Sequence, residues 1–542
     1  MNKIKKEKIQ EEIILMIAQE KNPNERRFYY WNRQIAGRYK LPPQPKNELR
    51  SVYQSLVKKK KITADKNLEK LLKVRPTRTI SGVTPITVLT KPYPCPGKCI
   101  YCPLEPGMPK SYLSTEPGAM RAVTHKFDPF RQVFYRMKAL YLNGHIPDKI
   151  ELLVLGGTWS AYPWSYQKWF IKRCFEAVNY FPYLIQGKTI PKSKRSYNLK
   201  QAQKINETAA YRIIGITLET RPDWVTVKET KRLRELGCTR VQLGVQVLDD
   251  KILDLIKRGH KIKHIITATK RLRDNGFKID YHVMQNLPGA TPAKDKKTLE
   301  KIFADPNFRP DQIKIYPTIV SKYAPLYKWW KSGKYKPYPE KKLFDLLLKL
   351  KQIVPYYCRI NRLIRDFPSQ SIEAGNKLTN LRELLQKEMQ KQGLRCRCIR
   401  CREVRQKTTD LKKAKLFIDE YEAAGGRELF ISYETPERDA IFGFVRLRLN
   451  GPNSDILFPE LKGAALIREL HVYGELLHHQ QNAPDKVQHK GLGKKLMALA
   501  EKIAQENGYR KMAVISGIGV RQYYRKKLNY RLQGTYMVKK LN

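Results

Sequence analysis

The chain predicts an α/β protein: a partial β/α barrel, then a second α/β unit, preceded by a helical, basic N-terminal region. Three observations predict it. First, 542 residues are too many for one core, because single cores stop growing at about 250–300 residues. Second, short apolar runs recur at 150–155, 213–218, 240–247, 279–284 and 313–316 with helical patterns between them, and that alternation is a β/α succession. Third, strand-like and helix-like segments alternate again over 411–542. Hydrophobic residues at 41% and aromatics at 10% supply interiors for both units and exclude a disordered chain.

The N-terminal region spans 1–78. Its first 75 residues carry twenty Lys and Arg against eight Asp and Glu, with lysines at 58–61 and the aromatics Phe28, Tyr29, Tyr30 and Trp31. Cations among aromatics suit nucleic acid, and a small helical core would use the same aromatics. The whole chain carries 106 Lys and Arg against 50 Asp and Glu, a net charge of +56, which attracts polyanions. The apolar run 13–18 is too short to span a membrane and lies among Glu11, Glu12 and Glu20, unlike a signal peptide. A cytoplasmic protein without a membrane partner is expected. Nine cysteines, odd in number and clustered, exclude a secreted disulfide framework and read as metal ligands.

The barrel segment spans 79–340. Its runs end in polar or glycine-rich stretches such as Gly156-Gly157-Thr158 and Asn286-Leu287-Pro288-Gly289, and barrel chemistry sits at such strand ends. Cys95, Cys99 and Cys102 form C-x3-C-x2-C just after the apolar run ITVLT. Three thiolates on a four-iron cluster leave one iron free for an outside ligand; zinc is the alternative, but no fourth ligand is evident nearby. Gly156 and Gly157 let the backbone approach a ligand closely. The lysine-rich stretch 188–204 predicts an exposed loop or helix start, suited to touching phosphate.

A helical linker follows at 341–410. Cys396, Cys398 and Cys401 make a candidate zinc site in it, with Cys358 as candidate fourth ligand; reduced thiols in a basic linker are the alternative. Cys174 and Cys238 fit core positions. In the last unit, 411–542, Gln488-His489-Lys490-Gly491-Leu492-Gly493 fits Q-x-x-G-x-G and opens a helical pattern. A glycine loop at a helix N-terminus presents free N–H groups and a positive dipole to pyrophosphate. Downstream, Tyr524 with Tyr523 beside it is the candidate to protonate or orient a reacting group, packing of the sheet being the alternative.

The cysteine spacing resembles the radical SAM (S-adenosylmethionine) superfamily, with "LGGTW" similar to its glycine motif. The Q-x-x-G-x-G loop, its helix and the upstream strand "IRELHVYG" resemble GNAT acetyltransferases. Both in one chain resemble the Elongator complex protein 3 family, through stretches that include "STEPGAMRA", "GITLETRPDW", "RPDQIKIYPT", "CRCIRCREV" and "AVISGIGVRQYYRK". The resemblance implies a partial radical SAM barrel followed by a GNAT domain. It implies conversion of the tRNA wobble uridine to 5-carboxymethyluridine, from acetyl-CoA and by SAM-derived radical chemistry. A 4Fe–4S cluster on Cys95, Cys99 and Cys102, SAM, acetyl-CoA, a tRNA anticodon stem-loop and an electron donor follow from it. It also puts Lys149, Glu469, Leu470, His471, Val472, Leu492, Gly493, Lys494 and Tyr524 on acetyl-CoA contacts. The short spacing from Cys95 to Cys99 resembles prokaryotic stand-alone members, which argues against Elongator partners and leaves a homodimer open. The rival readings are a lysine acetyltransferase whose iron–sulfur domain is only structural, a tRNA-binding scaffold, and RNA methylthiolation.

Overall fold

The computed structural model describes residues 3–75, 79, 82–404, 411–473 and 491–542. Seven strands, β1 (Thr84–Leu89), β2 (Lys149–Leu155), β3 (Arg212–Thr220), β4 (Arg240–Gln246), β5 (Lys278–Val283), β6 (Gln312–Ile315) and β7 (Arg359–Arg362), form one sheet in sequence order. Every neighbouring pair is parallel. Strands joined in order by crossover helices curl into an open barrel with helices outside. The apolar runs at 150–155 and 279–284 fall on β2 and β5. The seventh strand lies at Arg359–Arg362, inside the segment read as a linker. Cys174 and Cys238 are buried in the barrel's core, as expected.

Helices Lys3–Ala18, Glu25–Arg38, Lys46–Lys58 and Lys66–Leu71 enclose a separate small core of residues that include Ile13, Phe28, Ile35, Tyr53 and Leu68. Phe28 belongs to that core and Trp31 packs on it, whereas Tyr29 and Tyr30 face solvent. The lysine-rich stretch is exposed over most of 187–195 and leads into helix Leu199–Asn206, capped by Asn198. No helix among the described residues is long and apolar enough to cross a membrane.

The second sheet has seven strands: β8 (Lys415–Ala423), β9 (Gly426–Glu434), β10 (Ile441–Leu449), β11 (Ala465–Val472), β12 (Lys511–Val514), β13 (Arg531–Gln533) and β14 (Tyr536–Lys540). Their order is β13-β14-β12-β11-β10-β9-β8, antiparallel except at β11 and β12. That parallel pair is in register only over Ala465, Leu466 and Ile467, so the rest of β11, Arg468 to Val472, diverges from β12. The mouth this opens is flanked by helix Leu492–Glu506, which starts from Gly491 in the left-handed region, φ 74°.

The two sheets meet through close backbone contact and buried charge. A Cβ on Gly517 would lie 1.9 Å from the Ile214 carbonyl oxygen, and one on Gly519 2.8 Å from that of Ile213, so glycine is required for β3 and this loop to touch. Arg468 bonds both Asp311 on the barrel side and Glu428 on β9, while Arg448 reaches Asp274 and Glu428. All five side chains are essentially inaccessible to solvent. Removing one member of such a network would leave an uncompensated charge in low dielectric.

Candidate active site between the two sheets

One cavity of 1630 Å³ runs from the cysteine loop, through the barrel lumen, to the mouth between β11 and β12. Cys95, Cys99 and Cys102 line one end, Lys149 and Glu151 the lumen wall, and Glu469, Leu470, His471, Val472, Gly491, Gly493, Lys494, Tyr523 and Tyr524 the other end.

At the cysteine end, Arg258 points a guanidinium N–H at the Cys99 sulfur, 3.4 Å away, and anchors itself on the Gly244 carbonyl at 2.7 Å. A hydrogen bond from the Cys102 thiol, helped by Arg258 and opposed by burial, pulls the Cys99 thiol down to about 4. Cys95 Sγ lies 3.5 Å from Thr158 Oγ1. Lys110 donates to the Gly97 carbonyl and holds the loop closed. Arg221, bound to Asp223 at 2.9 Å, fills the space above Gly97, where a Cβ would come within 2.5 Å of its Nη1. The three sulfurs are not drawn into one group within 4.8 Å, unlike those of Cys396, Cys398 and Cys401. Thiolates of a cluster bind different irons and stand apart, whereas ligands of one zinc, with Zn–S near 2.3 Å, stand roughly 3.8 Å from each other. At 95–102 Cys99 and Cys102 lie within hydrogen-bonding reach and Cys95 completes a three-thiol donor set of the kind a cluster takes, while the close trio at 396–401 has the spacing of a single ion's ligands.

Gly157 lines the cavity with φ 91°. Gly156 does not line it; at φ 137° its missing Cβ makes room for Thr90, whose Oγ1 would be 1.8 Å away. Cys358 stands outside the close trio: its side chain is buried in the barrel's core, burial pushes its thiol up, and it meets the trio through a backbone bond from Ile399 to its carbonyl.

At the far end, a Cβ on Gly493 would lie 3.0 Å from Tyr523 Oη and 3.8 Å from Val472, so glycine keeps the helix N-terminus open to the mouth. Leu492 turns inward and belongs to the second core. Tyr524 is 6% exposed and packs edge-on to Tyr530, while Tyr523 is half-buried; burial raises both hydroxyls above the usual tyrosine value. Burial would raise Glu469, but Lys278 at 3.2 Å and Arg446 at 2.9 Å hold it down at about 2. Lys149 is lowered by burial. Gln488 lies outside the described residues.

The lumen between these ends carries polar side chains that sequence reasoning passed over. Arg240 pairs with Glu151 at 2.6 Å, and Lys314 donates to Gln242 at 2.8 Å. Burial lowers Lys314 to about 8, with Asp280 and Glu219 opposing. Glu219 accepts from Tyr112 at 3.1 Å and faces His282 Nδ1 at 3.6 Å; burial and neighbouring cations keep that imidazole neutral. The signal was present: a strand buried on both faces reads as continuously apolar, and Arg240, Gln242, Gln312 and Lys314 break that rule at alternate positions.

A parallel half-barrel with three cysteines in the loop after its first strand defines a radical SAM protein. The Radical SAM superfamily model matches residues 93–302, and the Radical_SAM C-terminal domain model matches 310–391. The chain is 43% identical to the tRNA uridine(34) acetyltransferase of Methanocaldococcus infernus over 485 residues, 87% of this chain and 88% of that protein. It is 38% identical to Elongator complex protein 3 of Danio rerio over 487 residues, 87% of this chain and 86% of that protein. Among solved structures, archaeal Methanocaldococcus infernus Elp3 with an N-terminal deletion superposes with a TM-score of 0.73 at 40% identity, covering 85% of this chain and all of that one. The chain belongs to the tRNA uridine(34) acetyltransferase and Elongator complex protein 3 family. Membership of the radical SAM superfamily implies a 4Fe–4S cluster and SAM.

Proposed function

We propose that the chain modifies the tRNA wobble uridine, forming 5-carboxymethyluridine from acetyl-CoA by SAM-derived radical chemistry. The continuous cavity supports this reading: Cys95, Cys99 and Cys102 and the helix-start glycines Gly491 and Gly493 line one space. The names of the relatives support uridine 34 of tRNA as the target, and they do not favour a lysine acetyltransferase with an inert iron–sulfur domain.

Cys95, Cys99 and Cys102 would hold the cluster, with Gly157 beside the SAM amino end. When bound, cluster and SAM supply a carbon-centred radical for activating the acetyl methyl group. Arg258 neutralises thiolate charge at Cys99. Backbone N–H groups at Gly491, Leu492 and Gly493, with Gln488 preceding them in the sequence, would cradle pyrophosphate beside Lys494, whose own N–H bonds the Gly491 carbonyl at 2.9 Å. Glu469, Leu470, His471 and Val472 would bind the pantetheine arm along the diverging edge of β11, and Lys149 would meet it from the barrel. Tyr523 is closer than Tyr524 to the loop glycine and half-exposed, which supports Tyr523 as the hydroxyl that orients the thioester; Tyr524 would hold it in place. The basic N-terminal helices would carry the anticodon stem-loop, and Cys396, Cys398 and Cys401 a structural zinc. We read the protein as a cytoplasmic, stand-alone enzyme served by an external electron donor, with a homodimer allowed.

Two variants test the division of labour. Cys99→Ser abolishes SAM cleavage and leaves CoA binding intact, while Gly493→Trp does the reverse, read by 5′-deoxyadenosine release and by titration with CoA. Loss of both functions in either folded variant contradicts two separable sites in one cavity.

A further inference from the structure

A radical centre of this kind needs an electron from outside to bring its cluster to the reduced state before SAM is cleaved, and the surface nearest Cys95 has an uncommon construction. The loop Lys91-Pro92-Tyr93-Pro94-Cys95-Pro96-Gly97-Lys98 is exposed at every residue except Cys95 and Gly97, and contains no acidic residue. It does not float. Tyr162 donates to the Lys91 carbonyl at 2.7 Å, the Lys91 N–H donates to Tyr166 Oη at 3.1 Å, and the Lys91 ammonium lies 5.2 Å from the Tyr166 ring. The rings continue outward: Tyr93 to Tyr162 at 4.8 Å, Tyr162 to Tyr166 at 5.1 Å, and Tyr166 to Trp169 at 5.6 Å. Trp169 is 43% exposed and Tyr93 38% exposed. At the inner end, Tyr162 bonds Thr90 at 2.7 Å, and Cys95 touches Thr158 at 3.5 Å.

We propose that this face, Lys91 to Lys98 with Lys168 and Trp169, is the docking surface for a small acidic one-electron carrier protein of the flavodoxin or ferredoxin class. The proposal rests on the reading of Cys95, Cys99 and Cys102 as cluster ligands. Electron transfer by tunnelling weakens steeply with distance and with gaps in packing; the tyrosine stack is bonded to the loop at the Lys91 carbonyl, and the same short loop carries Cys95, whose sulfur rests on Thr158. Electrons cross through this matter without residing on the rings: one electron leaves the reduced carrier, one enters the cluster, and no proton or bond moves. Electron-transfer complexes are small and electrostatically steered, which a rigid patch with lysines and an exposed tryptophan provides. RNA is the less suited occupant, because it needs free aromatic faces for its bases, and the faces of Tyr162 and Tyr166 are already stacked on one another.

The test mixes anaerobic, cluster-loaded protein with reduced flavodoxin or with dithionite, and follows bleaching of the cluster absorbance. Lys91→Glu combined with Lys98→Glu slows flavodoxin-driven bleaching by about tenfold or more at low salt and abolishes most of its salt dependence; Trp169→Ala separately slows it while keeping the salt dependence, and both leave dithionite-driven bleaching within about twofold of the parent. Titration with oxidised flavodoxin shows weakened binding in the same variants. Equal flavodoxin rates in parent and variants overturn the proposal, as does a loss confined to tRNA affinity. Iron content and absorbance of the same samples report separately on the cysteine reading, since a protein that never takes up a cluster refutes that reading first.

Discussion

At the residue scale, burial and partners decide what each titratable group does. Asp295, near the start of helix Pro292–Ala304, accepts the Asn286 N–H at 2.8 Å and the Tyr338 hydroxyl at 3.1 Å, yet burial dominates and lifts its carboxyl to about 6. Between the unfolded value of 3.8 and the folded value of about 6, the folded state binds the extra proton. Stability therefore falls as pH rises through that window and levels off above it. Asp295→Asn removes this slope: denaturant titrations at pH 4 and pH 7 show the parent losing roughly 2–3 kcal/mol more than the variant across the window. At the close trio, Cys401→Ser lowers bound zinc from about one per chain without lowering iron, as measured by metal analysis. Loss of iron with the zinc contradicts two independent centres.

At the scale of elements, glycine positions separate required contacts from free ones. Gly517→Ala forces a Cβ into the Ile214 carbonyl oxygen, and overpacking of this kind costs about 1–3 kcal/mol. Gly37, within helix Glu25–Arg38, has open space where a Cβ would sit, with nothing within 4 Å, so Gly37→Ala stabilises by roughly 0.5–1 kcal/mol. Thermal unfolding of the two variants reads both signs. The legibility of the elements follows the same physics. Strands β2 to β6 are readable in the sequence because their apolar runs are bounded by helical patterns. Strand β7, Arg-Ile-Asn-Arg, is not, since its side chains bond to partners such as Glu403, Asp280 and Asp366 outside any local pattern. The cysteine motif and the glycine loop are legible because their chemistry is written in short spacing. The polar residues of the lumen are marked in the sequence by their alternation, but their pairings, such as Arg240 with Glu151, and the Arg468–Asp311 pair are not, because tertiary contact alone joins residues so distant in the chain.

For the whole molecule, the interface and the cavity are one construction. Buried arginines at 446, 448 and 468 tie the second sheet to Asp274 and Asp311 of the barrel, which fixes the mouth between β11 and β12 against the lumen. The N-terminal helices enclose their own core, and removal of 1–75 leaves cluster loading and CoA binding in place while weakening tRNA binding by about tenfold or more at low salt. Gel-shift titration of the truncated chain checks this. The central claim is that carbon from acetyl-CoA reaches the nucleoside through this single cavity. It is tested most directly by incubating the reconstituted protein without oxygen with reductant, SAM, methyl-labelled acetyl-CoA and tRNA, then analysing the nucleosides by mass spectrometry. Label in 5-carboxymethyluridine is the predicted result; unlabelled tRNA together with labelled acetyl-lysine on an added protein would contradict it.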